Sequence, residues 1–147
     1  VNDLPPKARD IAMVFQNYAL YPHMTVRQNM AFSLALAKME KTALEAKVAR
    51  AADILALGAL MDRYPRQLSG GEQQRVAIAR AFVVKPAVLF ADEPTGNLDT
   101  ETGRAIVDLL FELNQTSGTT LVVVTHDEKL AARCTKILRL AEGRLLQ

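Results

Sequence analysis

Short, wholly apolar runs alternate with amphipathic helical segments in the second half of the chain, and this alternation most constrains the fold. Ala87-Val88-Leu89-Phe90-Ala91 and Thr120–Val124 have strand length and no polar interruption. Between them, residues 101–115 carry Ile106, Leu109, Leu110 and Leu113 on one helical face, and Gly118 closes the helix. Strands that are apolar on both sides and separated by helices predict a parallel sheet buried among helices. Ile11–Phe15 reads as a further buried strand. After residue 126 a helix is expected to about Cys134, then a strand over 136–140, a turn at Glu142-Gly143-Arg144 and a final strand at Leu145-Leu146.

Residues 23–68 interrupt the alternation and read as a helical insertion. Thr25–Gln28 and Thr42–Glu45 fit capping boxes. Leu44, Val48, Ala51, Ala52 and Leu55 make one apolar face, Gly58 is the expected stop, and Pro65 is expected to end a short turn over 60–64. Ser69–Glu72 is a third capping box, opening a helix to Val84. The chain opens on a turn containing Asn2, Asp3, Pro5 and Pro6. The division expected is 1–22 (core strand and the loop after it), 23–68 (helical subdomain) and 69–147 (the rest of an α/β core).

Half of the 147 residues are hydrophobic, enough for a packed core. The longest apolar runs fall well short of the ~20 residues a membrane-spanning helix requires. Net charge is 18 minus 16, or +2, too small a bias to indicate nucleic acid, and none is expected as a partner. The single cysteine, Cys134, excludes an internal disulfide and fits a reducing compartment. The chain begins at Val1 with its first Met at position 13, so it reads as a fragment of a longer protein.

The candidate chemistry lies where strands end. Asp92 and Glu93 close the 87–91 run, at the end of a parallel strand where α/β sheets bind ligands. Adjacent strand residues point oppositely, so one carboxylate can hold Mg²⁺ while the other polarises a water. The bland alternative is a solvated acidic loop. His126 ends the next strand on the same rim, where a structural or solvent-facing histidine is the alternative reading. Gln16 ends the first strand, and its neutral amide can ligate a metal or orient a water. Ser69, Gly70, Gly71 and Glu72 open a helix whose positive N-terminus favours an anion such as phosphate. An ordinary capped helix has the same Ser-x-x-Glu spacing.

Taken in order, Met13-Val-Phe-Gln16, Leu68-Ser-Gly-Gly-Glu-Gln-Gln-Arg75, Val88-Leu-Phe-Ala-Asp-Glu-Pro94, Asn97-Leu-Asp99 and Val122-Val-Val-Thr-His-Asp127 resemble the nucleotide-binding domain of ABC transporters. The resemblance covers essentially the whole chain. It implies a P-loop NTPase-like parallel core with an inserted helical subdomain, ATP and Mg²⁺ as ligands, and ATP hydrolysis that powers transport. By the same resemblance Gln16 contacts Mg²⁺ and the attacking water, Asp92 holds Mg²⁺, and Glu93 is the general base. His126 is the switch at the γ-phosphate. Ser69, Gly70, Gly71 and Glu72 form the signature that meets ATP held by a second, head-to-tail subunit, and Asp99 lies across that dimer interface. Transmembrane subunits are expected on the loop Asn17–His23, which places the protein on the cytoplasmic face of the membrane.

The family grips phosphates with G-x-x-x-x-G-K-[ST], but no glycine here is followed by lysine, so that loop is expected upstream of Val1. The chain alone is therefore expected to be inactive. A non-catalytic module and a soluble, non-transport ABC ATPase are the alternatives. The front of the chain resembles importers of the maltose and glycerol-phosphate kind. Asp92-Glu-Pro-Thr-Gly-Asn-Leu-Asp-Thr100 and Leu130-Ala-Ala-Arg-Cys134 resemble ATPases of the lipoprotein-release and macrolide-exporter kind.

Overall fold

The computed structural model describes residues 2–5 and 8–146; Pro6, part of the expected opening turn, lies outside them. Three parallel strands, β1 (Ile11–Val14), β2 (Val88–Asp92) and β3 (Thr120–Val124), form a sheet in the order β1-β2-β3. In register, Ala12, Leu89 and Leu121 lie side by side, as do Val14, Ala91 and Val123. That face packs into the core with α3 (Gly70–Phe82) and α4 (Thr100–Ser117), which contribute Val76, Ile78, Ile106 and Leu110. The alternate residues form the opposite face, where Ile11, Met13, Val122 and Val124 are exposed.

Helices α1 (Val26–Leu36) and α2 (Lys41–Ile54) and two 3₁₀ turns, Gly58–Leu60 and Pro65–Gln67, fill the stretch between β1 and α3. The predicted boxes at Thr25 and Ser69 both form. The box at Thr42 does not: α2 starts earlier, with Glu40 accepting from the N–H groups of Thr42 and Ala43 at 2.9 and 3.0 Å. A carboxylate one residue before the helix captures the free N–H groups and suits the helix dipole. Nor does Gly58 stop α2. The helix ends at Ile54 with Leu55 as its C-cap, and Ala56 takes the left-handed turn (φ 52°), which lets both Leu55 and Leu57 enter the core. Pro65 starts a turn rather than ending one, since its missing N–H costs nothing at a first helical position.

Asp99 caps α4, and Gly118 (φ 70°) ends it as expected. Helix α5 covers only Glu128–Ala131, shorter than the segment to Cys134. The strand expected over 136–140 does not join the sheet. Instead β4 (Arg139–Ala141) pairs antiparallel with β5 (Arg144–Leu146) around Glu142 and Gly143, both at positive φ. Two left-handed residues between short strands make a tight hairpin, so the nearest partner wins over the sheet.

Candidate functional site

The three parallel strands end on one rim, and each delivers a polar group there: Gln16 beyond β1, Asp92 at the end of β2, and Thr125 and His126 beyond β3. Asp92 is in register with Val124, on the same sheet face as Val88 and Phe90. Simple strand alternation does not carry on to Glu93. The strand stops at Asp92, and Glu93 adopts a left-handed conformation (φ 43°), uncommon for a residue with a side chain. Its N–H still donates to the Val124 carbonyl at 2.8 Å, so the turn is tied to β3.

This turn brings the Glu93 carboxylate to the end of β3. Oε1 accepts from the His126 backbone N–H at 3.0 Å and lies 2.8 Å from Nδ1 of the ring. Oε2 accepts from the Thr125 hydroxyl at 3.2 Å. The Glu93 side chain is 22% exposed and the His126 ring 87% exposed, so a half-shielded acid meets an open imidazole. A carboxylate has about four lone-pair sites. Three are used here, and the free one is on Oε2.

Asp99 caps α4 through its Oδ1, which accepts from Glu101 and Thr102 N–H at 3.1 and 3.0 Å. Hydrogen bonding from Thr102 holds its carboxyl below the usual range. Glu93, Asp99 and His126 line one open cleft of about 600 Å³. Ser69, Gly71 and Glu72 line another, of about 710 Å³, against the end of α2 and the first turns of α4. The structure thus does not gather all the expected residues into one pocket.

At the start of α3 the capping box uses donors that a phosphate would otherwise meet. The Ser69 N–H donates to Glu72 Oε2 at 2.7 Å, and the Glu72 N–H to the Ser69 hydroxyl at 3.3 Å. The first of these bonds holds the Glu72 carboxyl below its ordinary range. The N–H groups of Gly70 and Gly71 remain as the open donors of the helix end. Both glycines also have a packing reason. A Cβ on Gly71 would lie 2.5 Å from Thr102 Cγ2, and one on Gly70 would lie 2.9 Å from the Tyr18 hydroxyl.

Sequence reasoning missed the residues that hold this rim in place. Gln74 is fully buried, and its Nε2 donates to the Pro94 carbonyl at 2.6 Å. Arg80 donates to the carbonyls of Ala19 and Tyr18 at 2.7 and 3.3 Å and lies over the Tyr21 ring. It thereby pins a loop whose Tyr18 and Ala19 are both left-handed (φ 65° and 47°), and burial lowers its own pKa. Buried Asn29 donates to the carbonyls of Tyr21, Met24 and Thr25 and accepts from the Tyr21 N–H. For Arg80 the available signal was a cation inside the otherwise apolar run Val76–Phe82, which has to find partners when buried. Asn97 bonds Gln16: its Nδ2 donates to the Gln16 carbonyl at 3.0 Å.

The ABC transporter family matches residues 2–96 of this chain. Over 128 residues the chain is 56% identical to the sn-glycerol-3-phosphate import ATP-binding protein UgpC of Cereibacter sphaeroides, covering 87% of this chain and 37% of that protein. It is 52% identical over 140 residues to YbbA of Escherichia coli K12, an uncharacterized ABC transporter ATP-binding protein, covering 95% of this chain and 61% of that one. The dimeric, post-hydrolysis structure of the ATP-binding cassette MJ0796 with ADP and Pi superposes with a TM-score of 0.84 at 36% identity, covering 99% of this chain and 67% of that one. The parallel α/β arrangement is therefore that of ABC cassettes, and the chain spans less than two thirds of the curated relatives' length.

Proposed function

Because the chain belongs to the ABC transporter family, we propose that it forms the hydrolytic rim and the signature segment of an ATP-binding subunit whose ATP hydrolysis powers transport across a membrane. One observation carries this reading: the Glu93 carboxylate, half-shielded and held by Thr125 and His126 beside Asp92 at the ends of parallel strands. Glu93 Oε2 has a free acceptor site and takes a proton from a water attacking the γ-phosphate. His126 keeps Nδ1 on Glu93, so only its protonated form can also donate from Nε2 to a phosphate oxygen.

The donor set fits Mg²⁺. The Asp92 carboxylate makes no hydrogen bond or ion pair among the described residues, and Gln16 turns its Nε2 toward Asn97, leaving its amide oxygen for a hard cation. Among the described residues no three acidic, histidine or cysteine side chains cluster as a complete metal cage. Mg²⁺ commonly keeps substrate phosphates and water as its other ligands. When bound, it neutralises charge on the phosphate oxygens.

The same proposal extends to partners and domains. Ser69, Gly70 and Gly71 face the nucleotide of a second, head-to-tail subunit, with Glu72 closing the helix end and Asp99 across the interface. Supporting this, one solved relative is a dimer with ADP and Pi. Residues 1–22, 23–68 and 69–147 act as core strand, helical subdomain and remaining core. The loop Asn17–His23 receives transmembrane subunits at the cytoplasmic face. No helix among the described residues is long and apolar enough to cross a membrane itself.

With no glycine followed by lysine, these 147 residues alone bind ATP weakly. The test joins them behind the phosphate-loop segment of YbbA and measures Mg-ATP turnover. Turnover that rises steeply with protein concentration is expected. A folded joined protein without turnover would refute the reading.

A further inference from the structure

The Gln16 side chain lies across the loop that joins Glu93 to Asp99. A Cβ built on Gly96 would stand 2.5 Å from Gln16 Nε2, 3.0 Å from Cδ and 3.2 Å from Cγ, so three successive atoms of the glutamine lie over the Gly96 backbone. The neighbouring Asn97 meets Gln16 twice. Its Nδ2 donates to the Gln16 carbonyl at 3.0 Å, and its Oδ1 receives a long contact of 3.5 Å from Gln16 Nε2. The platform is itself fixed. Gly96 N–H donates to the Glu93 carbonyl at 3.0 Å, Leu98 N–H to the Thr95 carbonyl at 3.1 Å, and Gln74 holds the Pro94 carbonyl.

We propose that Asn97 is a positioning residue for Gln16, and that the absence of a side chain at position 96 decides where the Gln16 amide lies. The inference deepens the hydrolysis reading, because it rests on Gln16 being a ligand or water-orienting group there. Its physical content is an ordering of yields. The Gln16 tip is flexible and exposed, while the platform is bonded on three sides. A methyl group at 96 therefore moves the glutamine and leaves the fold alone. The uncharged Asn97 amide supplies both the donor to the Gln16 carbonyl and the acceptor for Gln16 Nε2. The segment that holds Gln16 also carries Glu93 at one end and Asp99 at the other, so the setting of the amide is coupled to both.

The test is heteronuclear NMR of the ¹⁵N-labelled chain without nucleotide, with the Gln16 amide pair identified by its loss in Gln16→Glu. The wild type is expected to show nuclear Overhauser contacts between the Gln16 amide and the Gly96 Hα protons. Gly96→Ala should abolish those contacts and move the pair to the position of solvent-exposed glutamines, with an unchanged melting midpoint. Asn97→Ala should shift both the side-chain pair and the backbone amide of Asn17, which follows the bonded carbonyl. Asn97→Asp keeps the acceptor and loses the donor, so it should restore the side-chain signal while Asn17 stays shifted. An unmoved pair in Gly96→Ala, unfolding of that variant, or no difference between Asn97→Asp and Asn97→Ala would overturn the proposal. Since no nucleotide is used, failure of the hydrolysis reading would appear as absent turnover and not in these spectra.

Discussion

The two faces of the three-stranded sheet contrast sharply although the same strands build both. On one face Val14, Leu89 and Ala91 are wholly buried, and Val14 and Leu89 share the core with α3 and α4. On the other, Ile11 and Val124 are 47% and 54% exposed, and Met13 and Val122 also stand open. Parallel strands are normally covered on both sides. The comparison teaches that apolar sequence alone does not report burial; the presence of a covering helix does. It also separates the two adjacent acids, since Asp92 continues the open face while Glu93 turns out of the strand toward β3.

The largest effect that sharpens this contrast comes from truncation on the packed face. Leu89→Ala should destabilise by about 2–5 kcal/mol, the range for a buried leucine. Val122→Ala on the open face should change stability by less than about 0.5 kcal/mol. Denaturant unfolding of both variants checks the pair, and equal losses would break the comparison. Next in size is the α3–α4 contact. Gly71→Ala drives a methyl into Thr102 and should cost about 1–3 kcal/mol. Thr102→Ser removes the opposing methyl and should recover most of that loss in a double-mutant cycle.

The smallest effect is at the start of α3. Glu72 has a folded pKa below its unfolded value because the Ser69 N–H bonds its carboxylate. Its contribution is present above the unfolded value of about 4.3 and is lost as pH falls through the folded value. Glu72→Gln keeps an acceptor for Ser69 but cannot titrate. Its stability should therefore vary less with pH below about 4.3 than that of the wild type, measured by thermal melts across that range.

How much was legible in the sequence varies with the range of the interaction. The β2 and β3 runs, the box at Ser69 and the stop at Gly118 follow from local pattern, and each forms within a residue or two of its expected place. The helix start at Glu40 was missed because the threonine box at Thr42 fits the capping pattern, while an acid two residues earlier captures the free N–H groups instead. The strand expected over 136–140 forms only at Arg139–Ala141, and the turn and last strand expected after it close on it as a local hairpin apart from the sheet. In the site, strand ends disclosed Gln16, Asp92, Glu93 and His126. That Arg80 has to find a partner is legible in its apolar run, but the loop some sixty residues earlier that it bonds, the left-handed turn at Glu93 and the Asn97–Gln16 pair have no local signal.

The central claim is that Asp92 and Glu93, though adjacent, have different jobs. It is tested most directly by comparing Glu93→Gln with Asp92→Asn in the chain joined to the YbbA phosphate-loop segment, measuring Mg-ATP affinity and turnover for each. Glu93→Gln removes the proton acceptor, so turnover should fall by about 10²–10⁴ with ATP affinity retained. Asp92→Asn removes the candidate Mg²⁺ ligand, so affinity itself should weaken. If Glu93→Gln kept more than about a tenth of the turnover, well short of the loss expected of a general base, or if both changes gave small and similar effects, the assignment of Glu93 would be contradicted.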